Sequence, residues 1–353
     1  MTTPTCYLTK NPSGKKYNLT QAAPSFTWGG STDSVARTLD ISYLNAPYDP
    51  VLRKLVNPSC GDYVSFKYGK KERFYGRVYS IEKTSEAGTV TIHCIDNGQF
   101  LLKNTANRVF KNTTAEAITK KLCSEFGVKT GPIASTGLTI KTMICKEDTI
   151  IDMIMKAYTK AYKHNKKKYM PLVQDRKFTV IEKGKMVANF ELSEKTNITS
   201  SSYTMSTEDI VDKVVAYDDR GKKVGTYTNA KNQKRYGTFQ QVYNKEGGVF
   251  VAAGAKALLQ GPSQSLSVEG IGNIACISGR AVKVKDSATG QTGKYWIKTD
   301  SHTFQNGVYT MSLELEFKNK MATVDDDDTE AAEKKKTRHV KSKNTEMKKE
   351  DKK

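Results

Sequence analysis

The chain has 353 residues, 37% hydrophobic and 27% charged, which is enough for two or three domains with separate cores and excludes a mini-protein held together by staples. Its net charge of +20, from 57 basic and 37 acidic side chains, calls for an acidic partner, either nucleic acid or the acidic faces of other proteins. Six cysteines at positions 6, 60, 94, 123, 145 and 276 form no C-x-x-C and no cluster, so a disulfide framework or zinc knuckle is excluded and buried, reduced thiols are expected.

Met1 to Lys16 is polar and lacks the apolar core of a signal peptide. No apolar stretch approaches the ~20 residues of a membrane span. Synthesis and folding in a reducing cytoplasm are therefore expected. The first hundred residues read as β. After Pro47, Pro50, Pro58 and the turn Cys60-Gly61-Asp62 come alternating runs at Tyr63–Tyr68, Arg73–Ile81 and Thr89–Ile95, joined by Gly69–Glu72 and Ser85–Gly88. The pattern predicts an antiparallel meander, half of a small barrel.

At Thr113 the period changes. Thr113 with Glu116 fits a capping box, Ile118, Leu122 and Phe126 share one helix face, and Gly127 ends it. A second helix is expected from Asp148, burying Ile150, Ile151, Ile154, Tyr158 and Ala161. A basic loop from Lys163 to Tyr169 and a strand pair around Phe178–Ile181 follow, with Gly184 near its turn. These elements make a small α/β region. Further on, Ile210–Tyr217 reads as a strand, Val251–Gln260 as a helix ended by Gly261-Pro262, and Ala281–Lys285 as a strand. Last comes a hairpin, Tyr295–Phe317, turning at Asn306-Gly307, the dipeptide suited to a type I′ turn. After it Tyr309, Met311, Leu313, Leu315 and Phe317 alternate with polar residues without an error. The tail, residues 322–353, holds ten basic and nine acidic side chains, almost no aromatics, and the run Asp325–Asp328, and is expected to be disordered alone.

The expected fold class is α+β, mostly β, divided as 1–104 (first β domain), 105–200 (α/β domain), 201–321 (second β domain with a helix inserted near 249–261) and the charged tail. No catalytic motif occurs: G-x-S-x-G, H-E-x-x-H, a Walker loop and a dinucleotide fingerprint are all missing from the sequence. The four histidines, 93, 164, 302 and 339, offer little for a triad or a metal site, and no cofactor or metal is expected. Ser301 and His302 are strand neighbours and point to opposite faces, so His302 reads as structural. The carboxylate pairs Glu147-Asp148 and Asp218-Asp219 are explained by a helix start and a turn. Lys163, Lys166, Lys167, Lys168, Arg176 and Lys177, with Tyr158, Tyr162 and Tyr169 nearby, form a candidate surface for phosphates and stacked bases, against the plainer reading of a solvated loop.

Several segments resemble the XkdQ/YqbQ proteins of Bacillus prophages: Asp96–Asn104, Thr113–Glu116, the helix through Ile150–Tyr158, Arg235-Tyr236-Gly237, Tyr295-Trp296-Ile297, Ser301–Phe304 and Tyr309-Thr310-Met311. More distantly, the order of elements is similar to late control protein D and the central hub of T4-like tails. The resemblance covers roughly residues 7 to 320. It implies two tube-like β-barrels with an α/β domain between and beside them, and three copies presenting six barrels in a ring. Such a homotrimer would join a sixfold tail tube to a threefold spike in a contractile tail or bacteriocin-like particle, beside tape-measure and other baseplate proteins, with DNA passing through the lumen. The resemblance further implies that Gly61, Gly76, Gly237, Asn306 and Gly307 hold turns or close approaches, and that Asn97 and Gly98 shape the exit from the first barrel. Two other readings remain at this stage: a basic nucleic-acid-binding protein, and a hub with cell-wall hydrolase activity.

Overall fold

The computed structural model describes residues 3–46, 48–51, 54–84, 88–245 and 251–324. Its elements run β1 (Pro4–Thr9), β2 (Lys16–Asn18), β3 (Ser25–Ser31), β4 (Ser34–Leu44), β5 (Tyr63–Tyr68), β6 (Lys71–Lys83), β7 (Thr89–Asp96), α1 (Gly98–Lys103), β8 (Thr105–Thr114), α2 (Ala115–Glu125), β9 (Thr130–Ile133), β10 (Thr139–Thr149) and α3 (Ile150–Asn165). Then follow β11 (Tyr169–Gln174), β12 (Lys177–Glu182), β13 (Met186–Ser193), β14 (Ile198–Ser206), β15 (Lys213–Tyr217), β16 (Lys223–Thr228), α4 (Ala230–Tyr236), β17 (Gln240–Asn244), α5 (Val251–Ala257), β18 (Ser263–Ile271), β19 (Ala281–Asp286), β20 (Gln291–Gln305) and β21 (Val308–Glu316). The chain is mostly β, and its sheets are mainly antiparallel.

Two compact units emerge. The first combines residues 1–202 with 266–324. Its main sheet follows the order β14-β18-β21-β20-β3-β4-β7-β6-β5-β1-β2, with β19 on β20 and β13 on β19. The meander expected at 63–95 is there as β5, β6 and β7. It can pack because Gly76 lies against the next strand: a Cβ there would sit 2.2 Å from the Ile95 carbonyl oxygen. Asn306 and Gly307 both take positive φ, 51° and 77°, and form the type I′ turn between β20 and β21. Beyond the turn Met311, Leu313 and Leu315 are buried, as the alternation requires.

The 15-residue β20 is the joint of this sheet. Along Gln291–Trp296 it pairs with β19, and along Thr299–Gln305 with β3, so one strand links early and late parts of the chain. Among the described residues, closed tubes are not formed in the single chain. Among the described residues the strand path has free ends at β14 and β2, and no ring of paired strands closes. At one place it comes near: β13 and β14 lie at opposite ends of a path of strands yet are joined by a short turn, where Asn197 donates to the Glu191 carbonyl and accepts from the Ser193 N–H.

The middle elements share one core, in which α2 and α3 pack on β8, β10, β11 and β12 through Ile118, Leu122, Ile154, Tyr158 and Phe178. Of these helices, α2 starts one residue later than expected and α3 two. The α2 cap is Thr114, not Thr113, because β8 stays paired with β10 up to Thr114. Glu116 keeps a hydrogen bond to the Thr114 side chain and also accepts from the Thr136 N–H and hydroxyl. Thr149, not Asp148, caps α3, with its Oγ1 3.1 Å from the Asp152 nitrogen, while Asp148 pairs with buried Lys156 at 2.7 Å. The tail expectation begins too early: Met321 and Val324 pack on this core, and the Val324 N–H donates to Thr159 Oγ1. Residues from 325, the bulk of the expected tail, lie outside those described, as do Ser85–Ala87 of the β6–β7 connection.

The second unit is Tyr203–Ser265 among the described residues. Here β15 pairs antiparallel with β16 and parallel with β17, and Val211, Val214, Ala216, Tyr243 and Ala255 form a small core under α5. The expected helix 251–260 is shorter, ending at Ala257, and Gln260 instead bridges Val211.

Leu313 is 1% exposed and its strand is paired on both sides. Leu313→Asp should therefore cost roughly 3–5 kcal/mol, the price of an uncompensated buried charge. Thr310→Lys, on the exposed face, should stay within about 0.5 kcal/mol. Urea unfolding and soluble yield of the two variants check this pair.

Candidate functional site: a buried ion pair and a divided basic loop

In β4 the core-facing positions are Arg37, Leu39, Ile41 and Tyr43, and in β20 they are Asp300, His302 and Phe304. Strand alternation thus drives a charged residue of each strand into the interior, where each needs the other. Arg37 grips Asp300 through both terminal nitrogens: Nη1 lies 3.2 Å from Oδ1, and Nη2 bonds Oδ2. The Ser278 N–H donates to the same carboxylate at 2.6 Å. Trp28 of β3 lies 4.0 Å under the guanidinium and 5.1 Å from the His302 ring. Burial would push the Asp300 carboxyl up, but Arg37 and His302 outweigh it and hold it at about 2.

His302 completes the cluster. The Cys276 carbonyl, 3.1 Å from Nε2, can only accept, so Nε2 carries the proton and Nδ1 accepts from the Tyr309 hydroxyl at 2.9 Å. Its Nε2 also lies 3.3 Å from Asp300. With exposures of 0% and 1%, His302 and Asp300 meet no substrate. They act as struts between β20, β21 and the segment before β19.

One step away, Asp96 ends β7. It accepts from the Arg37 N–H at 3.1 Å and from the Gly98 N–H at 2.8 Å, which fixes the entry to α1. Asn97 takes the N-cap position of α1 and Gly98 its first residue. Gly98 has no room for a side chain, since a Cβ would lie 2.9 Å from the Asp96 carboxylate and 3.0 Å from the Ala36 Cα. Burial raises the Asp96 carboxyl to about 7, against the two backbone donors and Arg37.

The six basic candidates do not converge. Lys163 and Lys166 close α3: Lys166 is its C-cap at φ 61° and donates to the Lys163 carbonyl at 3.0 Å. Lys167 lies 3.9 Å from Glu182. Lys168 turns inward and donates to the Asn319 carbonyl at 2.7 Å, while buried Lys183 donates to the Lys320 carbonyl. These two lysines strap residues 319–321 across the α/β core. Arg176 and Lys177 sit at the far end of the β11–β12 hairpin, about 17 Å away at ~3.4 Å per residue. There Asp175 and Arg176 form a turn with positive φ, Asp175 lies 3.5 Å from Arg73, and Arg176 lies 3.2 Å from Glu72 and 3.7 Å over the Tyr75 ring. Tyr158 and Tyr169 lie against each other inside the core with their rings tilted at 47°, at 0% and 2% exposure, and are closed to nucleic-acid bases. Gly237 caps α4 in the second unit at φ 97°.

Sequence reasoning missed Arg37 and gave Asp96 and Asp300 no role of their own. A signal existed: Arg37 keeps the parity of Leu39 and Ile41, and Asp300 that of His302 and Phe304. Among the described residues no group of three or more His, Cys, Asp or Glu gathers as a metal site, and no helix is long and apolar enough to cross a membrane.

Arg37→Leu should cost roughly 3–5 kcal/mol by leaving Asp300 charged and alone, whereas Arg37→Leu with Asp300→Leu should restore most of it, as read by urea unfolding. The pH dependence separates the two carboxylates. Asp96 has a folded value of about 7 against an ordinary 3.8, so the folded state holds the extra proton and stability falls as pH rises from about 4 to 7. Asp300 is depressed, so its contribution is complete above the ordinary range and is lost as pH falls toward about 2. Asp96→Asn should flatten the slope of stability between pH 4 and 7, and an unchanged slope would contradict the assignment.

The chain matches the YqbQ-like family over residues 26–316. It is 31% identical to YqbQ of Bacillus subtilis (strain 168) across 73% of this chain and 82% of that protein. It is 28% identical to the phage-like element PBSX protein XkdQ of the same organism, across 74% and 83%. Among solved structures, the 43 kDa tail protein of prophage MuSo2 from Shewanella oneidensis shares the fold with a TM-score of 0.66 at 14% identity, over 89% of this chain and 97% of that one. A tail protein from Neisseria meningitidis follows at 0.58 and 13% identity, over 89% and 96%. The chain belongs to the YqbQ-like family.

Proposed function

We propose that this chain is a non-enzymatic structural hub of a phage-tail or phage-tail-like baseplate. The observation that carries the reading is the fold shared along nearly the whole length of a prophage tail protein, beside sequence kinship with a protein of a phage-like element. Three copies form a ring that seats on a sixfold tail tube and receives a threefold spike, in the neighbourhood of tape-measure and other baseplate proteins. In that ring the two halves of the main sheet complete two tube-like barrels per copy. The near approach of β13 and β14 and the sharing of β20 between β19 and β3 support this. The chain is made in the bacterial cytoplasm and ends in the particle. Lys163, Lys166 and Lys167, with Lys177 at the far end of the hairpin, are exposed basic candidates for an acidic neighbour or passing DNA.

A role as a free nucleic-acid binder is weakened by the internal partners of Lys168 and Arg176. Native mass measurement of the chain coexpressed with tube and spike proteins from its own gene cluster should give a trimer bound to the spike. A chain that stays monomeric with both partners present would sink the hub reading. Tight DNA binding that collapses with salt and disappears in a Lys163, Lys166, Lys167 triple neutralisation would replace it with the nucleic-acid reading.

A further inference from the structure

Beside the buried ion pair lies a small cavity of about 10 Å³, lined by Trp28, Arg37 and Arg73 together with the β11–β12 hairpin and the Ile274–Ile277 segment. Of the side chains that line it, which include Gln174 and Asp175, three leave one buried nitrogen without a protein acceptor: Trp28 Nε1, Arg37 Nε and Arg73 Nε. Trp28 and Arg37 are 4% and 3% exposed, so bulk water does not serve these groups. We infer that this cavity binds a small monoatomic anion, chloride in ordinary solution.

Three features set the class of ligand. All three orphaned groups are donors, so the occupant must accept. A water molecule could accept from two of them and give its own hydrogens to acceptors of the lining such as Asp175, but would leave the third unmet. The volume admits one particle of about the size of water, which excludes phosphate, sulfate and the backbone of DNA. The charge balance also favours an anion. Arg37 is matched bidentately by Asp300, but Arg73 faces only Asp175, at 3.5 Å and 38% exposed, so its charge is compensated weakly. An anion here would tie β3, β4 and β6 to the hairpin of the α/β region, next to the Asp175–Arg73 contact.

Bromide replaces chloride in such sites and is visible by anomalous scattering. Crystals of the full chain soaked in sodium bromide should show an anomalous peak within hydrogen-bond distance of Trp28 Nε1, Arg37 Nε and Arg73 Nε. In parallel, sodium chloride should raise the Tm by roughly 2–4 °C over sodium gluconate at equal ionic strength. Trp28→Phe keeps a ring under the guanidinium and removes one donor, and it should lose at least half of that halide-specific rise. Water density without an anomalous peak would overturn the assignment. So would a bromide peak with no halide-specific rise in Tm, which would mark an adventitious ion only.

Discussion

The Arg37–Asp300 pair is the constraint from which the main sheet is organised. The partners are 263 positions apart, and neither is tolerable in the interior without the other. In the strand order β3 lies between β4 and β20, and the pair meets across it. The same two residues then reach outward. The Arg37 N–H holds Asp96 at the end of β7, Asp96 holds Gly98 at the start of α1, and Asp300 holds the Ser278 N–H ahead of β19. One ion pair thus sets the pairing of two distant strands, the entry to a helix and the path of a loop. Its value is specificity of arrangement more than stability, since an apolar pair of similar size would fill the space at less electrostatic cost.

The α/β region is held at both ends of its β11–β12 hairpin. At one end Lys168 and Lys183 bind carbonyls of the segment 319–320, and at the other Asp175 and Arg176 meet Arg73 and Glu72 of β6. The exposed pairs contribute little each, about 0–1 kcal/mol. Together with the core beneath α3 they leave the hairpin little freedom. For a protein proposed to pass force between tube and spike, stiffness of this kind matters more than any reactive group.

Legibility of the sequence followed the strength of local pattern. The hairpin at Asn306-Gly307 could be read because turn chemistry and alternation agree there, and α3 because Ile150, Ile154, Tyr158 and Ala161 keep one face. The caps were misplaced by one residue because Thr113 and Thr114 are chemically equal, and only the pairing of β8 with β10 decides between them. The small helix α4 gave no signal, since none of its residues is buried and it has no apolar face to show. The pairing of β20 with β3 is a long-range choice that no local window carries. The basic loop looked like one site because its residues are close in sequence. A hairpin separates its two ends, and turn chemistry at Asp175-Arg176, which lacks the usual Asn-Gly signature, concealed that.

The positive charge of the chain reads differently once these partners are known. Lys10, Arg37, Lys156 and Lys183 each face a carboxylate within the chain, and Lys168 is committed to a backbone carbonyl. Several of the side chains that suggested an acidic partner therefore carry internal structure. A partner would meet exposed side chains such as Lys163, Lys166 and Lys167 at the end of α3. With Tyr158 and Tyr169 buried, an acidic protein face met by lysines suits such a surface better than a nucleic acid that stacks its bases.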